Sequence, residues 1–255
     1  MLHNRMKAKL RQGEPVFGVS VMIPSPQVVE MVGRLGFDWV LIDCEHGSIA
    51  PESVELMAMA AEASGLTAIA RPAANTPEAI LQVMDRGVLG VQVPHVVDGA
   101  AARRAVEAVK YHPLGRRGLA LGSRPARYGF GVALADYVAA ANRETLVCVQ
   151  VEDAEALDHV DEIVAVAGVD VVFVGPSDLA QSMGFPGQAD APPVRAAMSM
   201  TFATIAAAGK IAGCAGSGPA IRGYLDQGIR YLYTHLTTLL ATGAAEFRRA
   251  TGAGG

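Results

Sequence analysis

The chain has 255 residues, 51% of them hydrophobic, and a formal charge of −4. That length suits one (β/α)8 barrel with an ample core, and the acidic balance argues against a general nucleic-acid or anionic-membrane binder. No apolar run is long enough to span a bilayer, and the opening MLHNRMKAKLRQGEP leads into no apolar h-region, so neither an anchor nor a signal peptide is expected.

In chain order, residues 4–12 read as a short helix capping a barrel bottom, and 16–22 as a first apolar strand. Six later segments repeat one phrase: a glycine, a short apolar run, then polar or turn residues. They are 36–43, 65–71, 87–94, 168–175, 209–216 and 228–235. Glycine after a helix supplies the left-handed residue that stops it. The run that follows reads as a strand buried on both faces, as a parallel sheet requires. Residues 145–151 form one more such run, without the leading glycine, which makes eight strands.

The intervals read as helices. Residues 51–64 open with Pro-Glu and are rich in Ala, Met, Glu and Leu. Residues 76–86 begin Thr-Pro-Glu. Residues 153–167 place Leu157, Val160, Ile163, Val164 and Ala167 at helical spacing, predicting a single helix. This alternation means α/β, and eight repeats favour a single-domain (β/α)8 TIM barrel over residues 1–255. One interval breaks the rhythm: HPLGRRGLALGSRPARYGFG, residues 112–131, is long and rich in Gly and Arg. It is either a solvated surface loop or one that closes the site or makes a subunit contact. Residues 187–193 form a turn-rich insert, and the tail 251–255 is expected to fray. Cys44, Cys148 and Cys214 share no CxxC spacing; Cys148 and Cys214 lie in apolar runs and read as core residues, and the expected compartment is a reducing cytoplasm.

Active sites of such barrels form at the C-terminal ends of the strands. There the sequence delivers Asp43-Cys44-Glu45-His46-Gly47, Arg71-Pro72, Gln150 with Glu152, and Ser177 with Asp178 after a Gly-Pro turn. Glu152 and Asp178 are 26 positions apart, which fits one β-α-β step and puts both on one rim. Neighbouring strands lie about 4.8 Å apart, so the two carboxylates could share one cation at roughly 2.0–2.2 Å. Oxygen-only ligation suits Mg²⁺ or Mn²⁺ rather than zinc. Equally, both could be solvated rim acids, with Asp178 capping a helix that starts at Leu179.

His46 is the favoured general base or acid. His3, His112 and His159 fall in a terminus, a loop and a helix surface. His95 and His235 end strands four and eight and compete with it. Arg71 offers a fixed cation to a developing oxyanion or a substrate carboxylate, or makes a salt bridge across the rim. None of the four lysines, Lys7, Lys9, Lys110 and Lys210, ends a predicted strand. No Schiff base is available, so activation of a carbonyl falls to the metal. Neither GxGxxG nor GxxxxGK[ST] is present in a nucleotide-binding context.

The stretches GFDWVLIDCEHG, Arg71-Pro72, GVQVPHV, HPLGRRG, VQVEDAEALDHVDEI and VDVVFVGPSDLAQSMG together resemble the HpcH/HpaI aldolase family of metal-dependent class II pyruvate aldolases. They cover most of residues 36–184 in order. The resemblance implies a (β/α)8 barrel whose subunits exchange their last helix and assemble as hexamers, trimers of dimers. It implies a divalent cation (Mg²⁺ or Mn²⁺, with Co²⁺ a third option) on Glu152 and Asp178. It makes His46 the general base and Arg71 the group that steadies an enolate. Gln150, Ser177 (through its backbone N–H) and Asp178 match pyruvate-binding positions, and Asp85 matches an acid that raises the basicity of the histidine; Asp43 is a second candidate partner. The implied reaction cleaves a 2-oxo-4-hydroxy acid to pyruvate and an aldehyde. Rival readings are oxaloacetate decarboxylation, or acyl-CoA cleavage with Arg116, Arg117, Arg124 and Arg127 holding phosphates, or a barrel that only binds a small acid. The match weakens after residue 200, where THLTTLL departs from the family's more usual small-residue stretch.

Overall fold

The computed structural model describes residues 3–252. Its eight strands are β1 (Val16–Val21), β2 (Trp39–Asp43), β3 (Thr67–Arg71), β4 (Gly90–Val93), β5 (Leu146–Val151), β6 (Val171–Val174), β7 (Ile211–Ala215) and β8 (Tyr231–His235). Each pairs in parallel with the next, and β8 closes on β1. The expected barrel is therefore present, with every strand inside the apolar run that announced it.

The helices are α1 (Arg5–Arg11), α2 (Pro26–Arg34), α3 (Pro51–Ala63), α4 (Pro77–Met84), α5 (Gly99–Val109), α6 (Leu134–Glu144), α7 (Val160–Ala165), α8 (Pro176–Ser182), α9 (Pro192–Ala207), α10 (Gly218–Asp226) and α11 (Leu236–Ala250). Proline at the first turn of α2, α3 and α4 costs no hydrogen bond there and presets φ. Residues 153–167 are not one helix. A 3-10 turn, Ala154–His159, comes first, and α7 starts only after His159 leaves helical geometry at φ −120° and ψ 11°. The frayed tail expected at 251–255 falls mostly outside the described residues; Thr251 caps α11.

Side chains alternate across each strand, and that parity builds the interior. Val16, Trp39, Leu41, Ile69, Leu146, Cys148, Val171, Phe173, Tyr231 and Tyr233 form one cluster inside the barrel. Their strand neighbours, Val40, Ile42, Ala68, Val147, Val149 and Val172 among them, pack outward against the helices. Trp39 is the largest buried side chain and lies 4.2 Å, centroid to centroid, from Tyr231. Gly18 makes room for it: a Cβ there would sit 2.3 Å from the indole.

Helix α1 plugs the bottom, with Met6 and Leu10 in the interior cluster. Asn4 caps it by accepting from the Lys7 N–H, and Lys7 Nζ donates to Asp170 Oδ2 and to the Thr145 carbonyl, each at 2.8 Å. Lys110 also donates to Thr145, and Lys210 to the carbonyls of Val166 and Val169. These three lysines are tied to backbone at the end opposite the strand C-termini, as the Schiff-base argument requires. Cys148 and Cys214 are buried and free, as expected. Half-buried Cys44 has its thiol pushed up to about 12 by burial and by the Asp43 charge.

The segment 112–131 follows α5, so it runs under the barrel bottom rather than over the mouth. It cannot close its own chain's site. Nor is it simply solvated: Arg117 is buried and bonds Asp85 Oδ1 at 2.7 Å, and Arg124 pairs with Glu62. These pairings also remove two of the four arginines invoked for a CoA-phosphate groove. Among the described residues no helix is long and apolar enough to cross a membrane.

Candidate active site

The parity that fills the barrel with Trp39, Ile69, Cys148, Phe173 and Tyr233 also aims Asp43, Arg71, Gln150 and Glu152 inward at the mouth. Asp43 ends β2 on the same face as Trp39 and Leu41, and Arg71 ends β3 on the same face as Ile69. The two are direct partners in the β2–β3 register. Arg71 Nε donates to Asp43 Oδ1 at 3.0 Å and Nη2 to Oδ2 at 2.5 Å, a bidentate fork with both side chains buried. Asp43 Oδ1 also accepts the backbone N–H groups of Glu45 (3.1 Å) and His46 (3.2 Å), which folds the following loop back over the strand end. Burial opposes charge on Asp43, but the Arg71 guanidinium outweighs it and holds the carboxyl below its ordinary value. Arg71 is thus both a salt bridge and a fixed cation at the mouth. Asp43 meets His46 through its backbone only.

On the facing side, Gln150 and Glu152 continue the inward face of β5. Glu152 is 2% exposed. Its Oε1 accepts the His95 backbone N–H at 2.9 Å, and its Oε2 accepts from Gln150 Nε2. Gln150 is held in turn by Gln92 from β4. Gly175 leaves room for the carboxylate, since a Cβ there would lie 2.7 Å from Oε2. Burial, and the neighbouring charges of Asp178 and Glu45, push the Glu152 carboxyl up to about 7 against the pull of the His95 N–H and ring. Among the described residues the only cationic side chain within 4 Å is His95, with Nδ1 at 3.8 Å. A buried carboxylate next to a second one, with so little positive charge against it, fits a bound cation.

This has a consequence for stability. With divalent ions removed, the folded-state pKa of about 7 exceeds the ordinary value of 4.5. Between those values the native state holds a proton that the unfolded state does not, so stability falls as pH rises through that window. Thermal melts of chelator-treated protein should show this fall relative to Glu152→Gln, which has no such proton to lose. Saturating Mg²⁺ or Mn²⁺ should reverse the fall at pH 7.

Asp178 sits in the first turn of α8, half-buried, and Ser177 precedes it, exposed. The helix begins at Pro176 with Gly175 as its cap and no side-chain capping bond, so Asp178 does not cap a helix starting at Leu179. His46 lies on the exposed loop after β2, with Nε2 3.8 Å from Glu45 Oε2. Asp85 is the C-cap of α4, which descends from β3 to the barrel bottom, and its partner is Arg117. One chain therefore brings Asp43, His46, Arg71, Gln150, Glu152, Ser177 and Asp178 to one rim and leaves Asp85 at the other.

Three more residues join the site in structural roles that the sequence does not announce. Glu45 bridges Arg71 Nε (3.2 Å) and His95 Nε2 (3.4 Å). His95 takes φ +52°, a left-handed conformation rare outside glycine, which turns its N–H onto Glu152; its Nδ1 lies 3.0 Å from Asp153 Oδ2. Gln92 orients Gln150. The inward parity of Gln92 within an otherwise apolar strand was the signal that could have found it.

A closed parallel barrel whose buried polar side chains gather at the strand C-termini is the layout of a (β/α)8-barrel enzyme. Comparison with known proteins narrows the class. Residues 17–222 match the family described as HpcH/HpaI aldolase/citrate lyase. The chain is 36% identical to a hydroxypyruvate/pyruvate aldolase of Sagittula stellata, over 97% of each chain. It is 35% identical to a 4-hydroxy-2-oxo-heptane-1,7-dioate aldolase of Shigella flexneri, over 96% of this chain and 91% of that one. A crystal structure of a HpcH/HpaI aldolase/citrate lyase family protein from Burkholderia cenocepacia superposes with a TM-score of 0.92 at 30% identity, covering 97% and 99% of the two chains. The chain belongs to the HpcH/HpaI aldolase/citrate lyase family, a family of carbon–carbon lyases in which divalent-metal dependence is general.

Proposed function

We propose that this chain is a divalent-metal-dependent aldolase that cleaves 2-oxo-4-hydroxy acids to pyruvate and an aldehyde. The observation that carries the reading is Glu152: a buried carboxylate beside Asp178, raised to about 7 and short of positive charge. Glu152 and Asp178 would hold the cation, and oxygen ligands suit Mg²⁺ or Mn²⁺. When bound, the ion supplies the electrophile that polarises the 2-oxo group.

The chain's own residues account for the rest. Gln150 and the Ser177 N–H hold the carboxylate end of the substrate. His46 takes the proton of the 4-hydroxyl. The C3–C4 bond breaks, the aldehyde leaves with the former hydroxyl oxygen, and the C3–C4 electron pair stays on the three-carbon fragment as its enolate. Arg71 faces that charge with its place fixed by Asp43; Nη1 is the nitrogen that neither Asp43 nor Glu45 takes up. Return of a proton to C3 gives pyruvate.

Asp85 can serve His46 only from another subunit. Helix α11 buries none of its residues in its own chain and exposes Leu240 and Phe247, which supports assembly through an exchanged last helix, in a trimer of dimers. His46→Ala should lower pyruvate release from a 4-hydroxy-2-oxo acid by about 10²–10⁴-fold, the usual worth of a general base, with Mn²⁺ binding kept. Mixing His46→Ala with Asp85→Asn subunits should restore activity at about a quarter of the sites by random assembly. An unchanged His46→Ala rate would remove that role, and no recovery on mixing would remove the intersubunit pairing.

A further inference from the structure

Besides His46 and His95, the mouth holds a third imidazole, which the reaction above leaves unused. His235 is the last residue of β8 and pairs with Ser20 of β1 in register. By strand parity it shares the inward face of Tyr231 and Tyr233. Its ring stands edge-on to Tyr233, with centroids 5.6 Å apart and planes at 86°. It is half-buried, and although it occupies the N-cap position of α11 its side chain makes no capping bond. No described residue hydrogen-bonds its ring nitrogens, so they are available to a ligand. Burial, followed by the charge of Arg71, holds the imidazole below its ordinary value, with Asp43 opposing and His46 adding to the effect. The ring is therefore neutral at physiological pH, with one nitrogen donating and the other accepting. It also falls within THLTTLL, where this sequence leaves the family's more usual small-residue run.

Its place relative to the substrate follows from the barrel. The acids that anchor the oxo-acid end follow β5 and β6, and in an eight-stranded ring β5 stands opposite β1. The C4 end of the substrate therefore points toward β8, β1 and β2, between His235 and His46. We propose that His235 selects the aldehyde partner by hydrogen-bonding its 2-hydroxyl, the C5 hydroxyl of the intact substrate, so that the enzyme favours 2-hydroxyaldehydes. A hydroxyl both donates and accepts and so satisfies a neutral imidazole. A carboxylate-bearing aldehyde calls for a cation instead, and an alkyl aldehyde leaves the imidazole unpaired at the cost of its desolvation. This inference rests on the aldolase reading above.

The test compares kcat/KM for addition of pyruvate to glycolaldehyde and to propionaldehyde, which have the same number of heavy atoms and differ by one hydroxyl. Wild type should prefer glycolaldehyde. His235→Ala should lower the glycolaldehyde value by about tenfold or more and the propionaldehyde value by less than about threefold, the effect of one lost hydrogen bond. His235→Asn, which keeps a donor and an acceptor, should recover part of the loss. The ratio within each variant does not depend on the fraction folded. Equal losses for both aldehydes, or no change in the ratio, would overturn the proposal. Wild type that exchanges the C3 protons of pyruvate in D2O but takes neither aldehyde would overturn it alone, whereas wild type that does neither would overturn the aldolase reading with it.

Discussion

Glu152→Gln is expected to lower kcat for pyruvate release by at least about 10³-fold, the scale on which loss of the group that stabilises a developing oxyanion is felt. The substitution is nearly isosteric. Its amide oxygen can still accept the His95 N–H that Oε1 accepts at 2.9 Å, Gln150 and Gln92 can turn their amides over so that Gln150 accepts from the new NH2, and Gly175 still leaves the space. What goes is the negative charge, and with it one of the two oxygen donors proposed for a divalent ion. The variant should therefore melt no lower than metal-free wild type above pH 7, because it lacks the buried charge that wild type carries there. It should also fail to bind Mn²⁺ in an equilibrium titration. Full activity with intact Mn²⁺ binding would mean that the ion, if used, sits elsewhere.

Arg71→Ala should be costly in two separable ways. Asp43 is fully buried, and the Arg71 fork neutralises it. Removing one partner of a buried pair leaves an uncompensated charge, worth about 3–5 kcal/mol, or a fall in melting temperature of about 10 °C for a chain of this size. Glu45 loses its 3.2 Å contact as well, which loosens the loop that carries His46. Turnover should fall by about 10²-fold or more in the fraction that remains folded, since the cation proposed to face the enolate is gone. Arg71→Lys keeps the charge but not the fork and should recover stability only in part. The pair Asp43→Leu with Arg71→Met removes both charges but leaves the Glu45 and His46 N–H groups without their acceptor, and should regain part of the stability with no activity. If that double variant were active, Arg71 would be structural alone.

Much of this arrangement was legible in the residues. The repeated glycine and apolar run marked six of the strands because a glycine stops the helix before each and a Val-rich run suits a strand buried on both faces. Strand ends then carried Asp43, Arg71, Gln150 and Glu152 to the mouth, because an active rim must lie at the C-termini of a parallel barrel. What escaped depended on pairing and backbone geometry. The Asp43–Arg71 fork needs the β2–β3 register, which sets the two directly side by side. Glu45 and His95 act through a loop fold and a left-handed residue that no periodicity reveals. Residues 153–167 kept helical spacing yet open as a 3-10 turn, because apolar spacing does not distinguish a tight first turn from a regular one. The loop at 112–131 is unusual in sequence, but only the topology shows that it lies at the end away from its own chain's site.

The central claim is that Glu152 and Asp178 hold the ion on which turnover of a 2-oxo acid depends. Its most direct test follows deuterium uptake at C3 of pyruvate in D2O by NMR, using chelator-stripped protein titrated with Mg²⁺. Exchange should be absent in the stripped protein and should rise to a plateau at one ion per chain. Stripped wild-type protein that exchanges at the full rate would contradict the account.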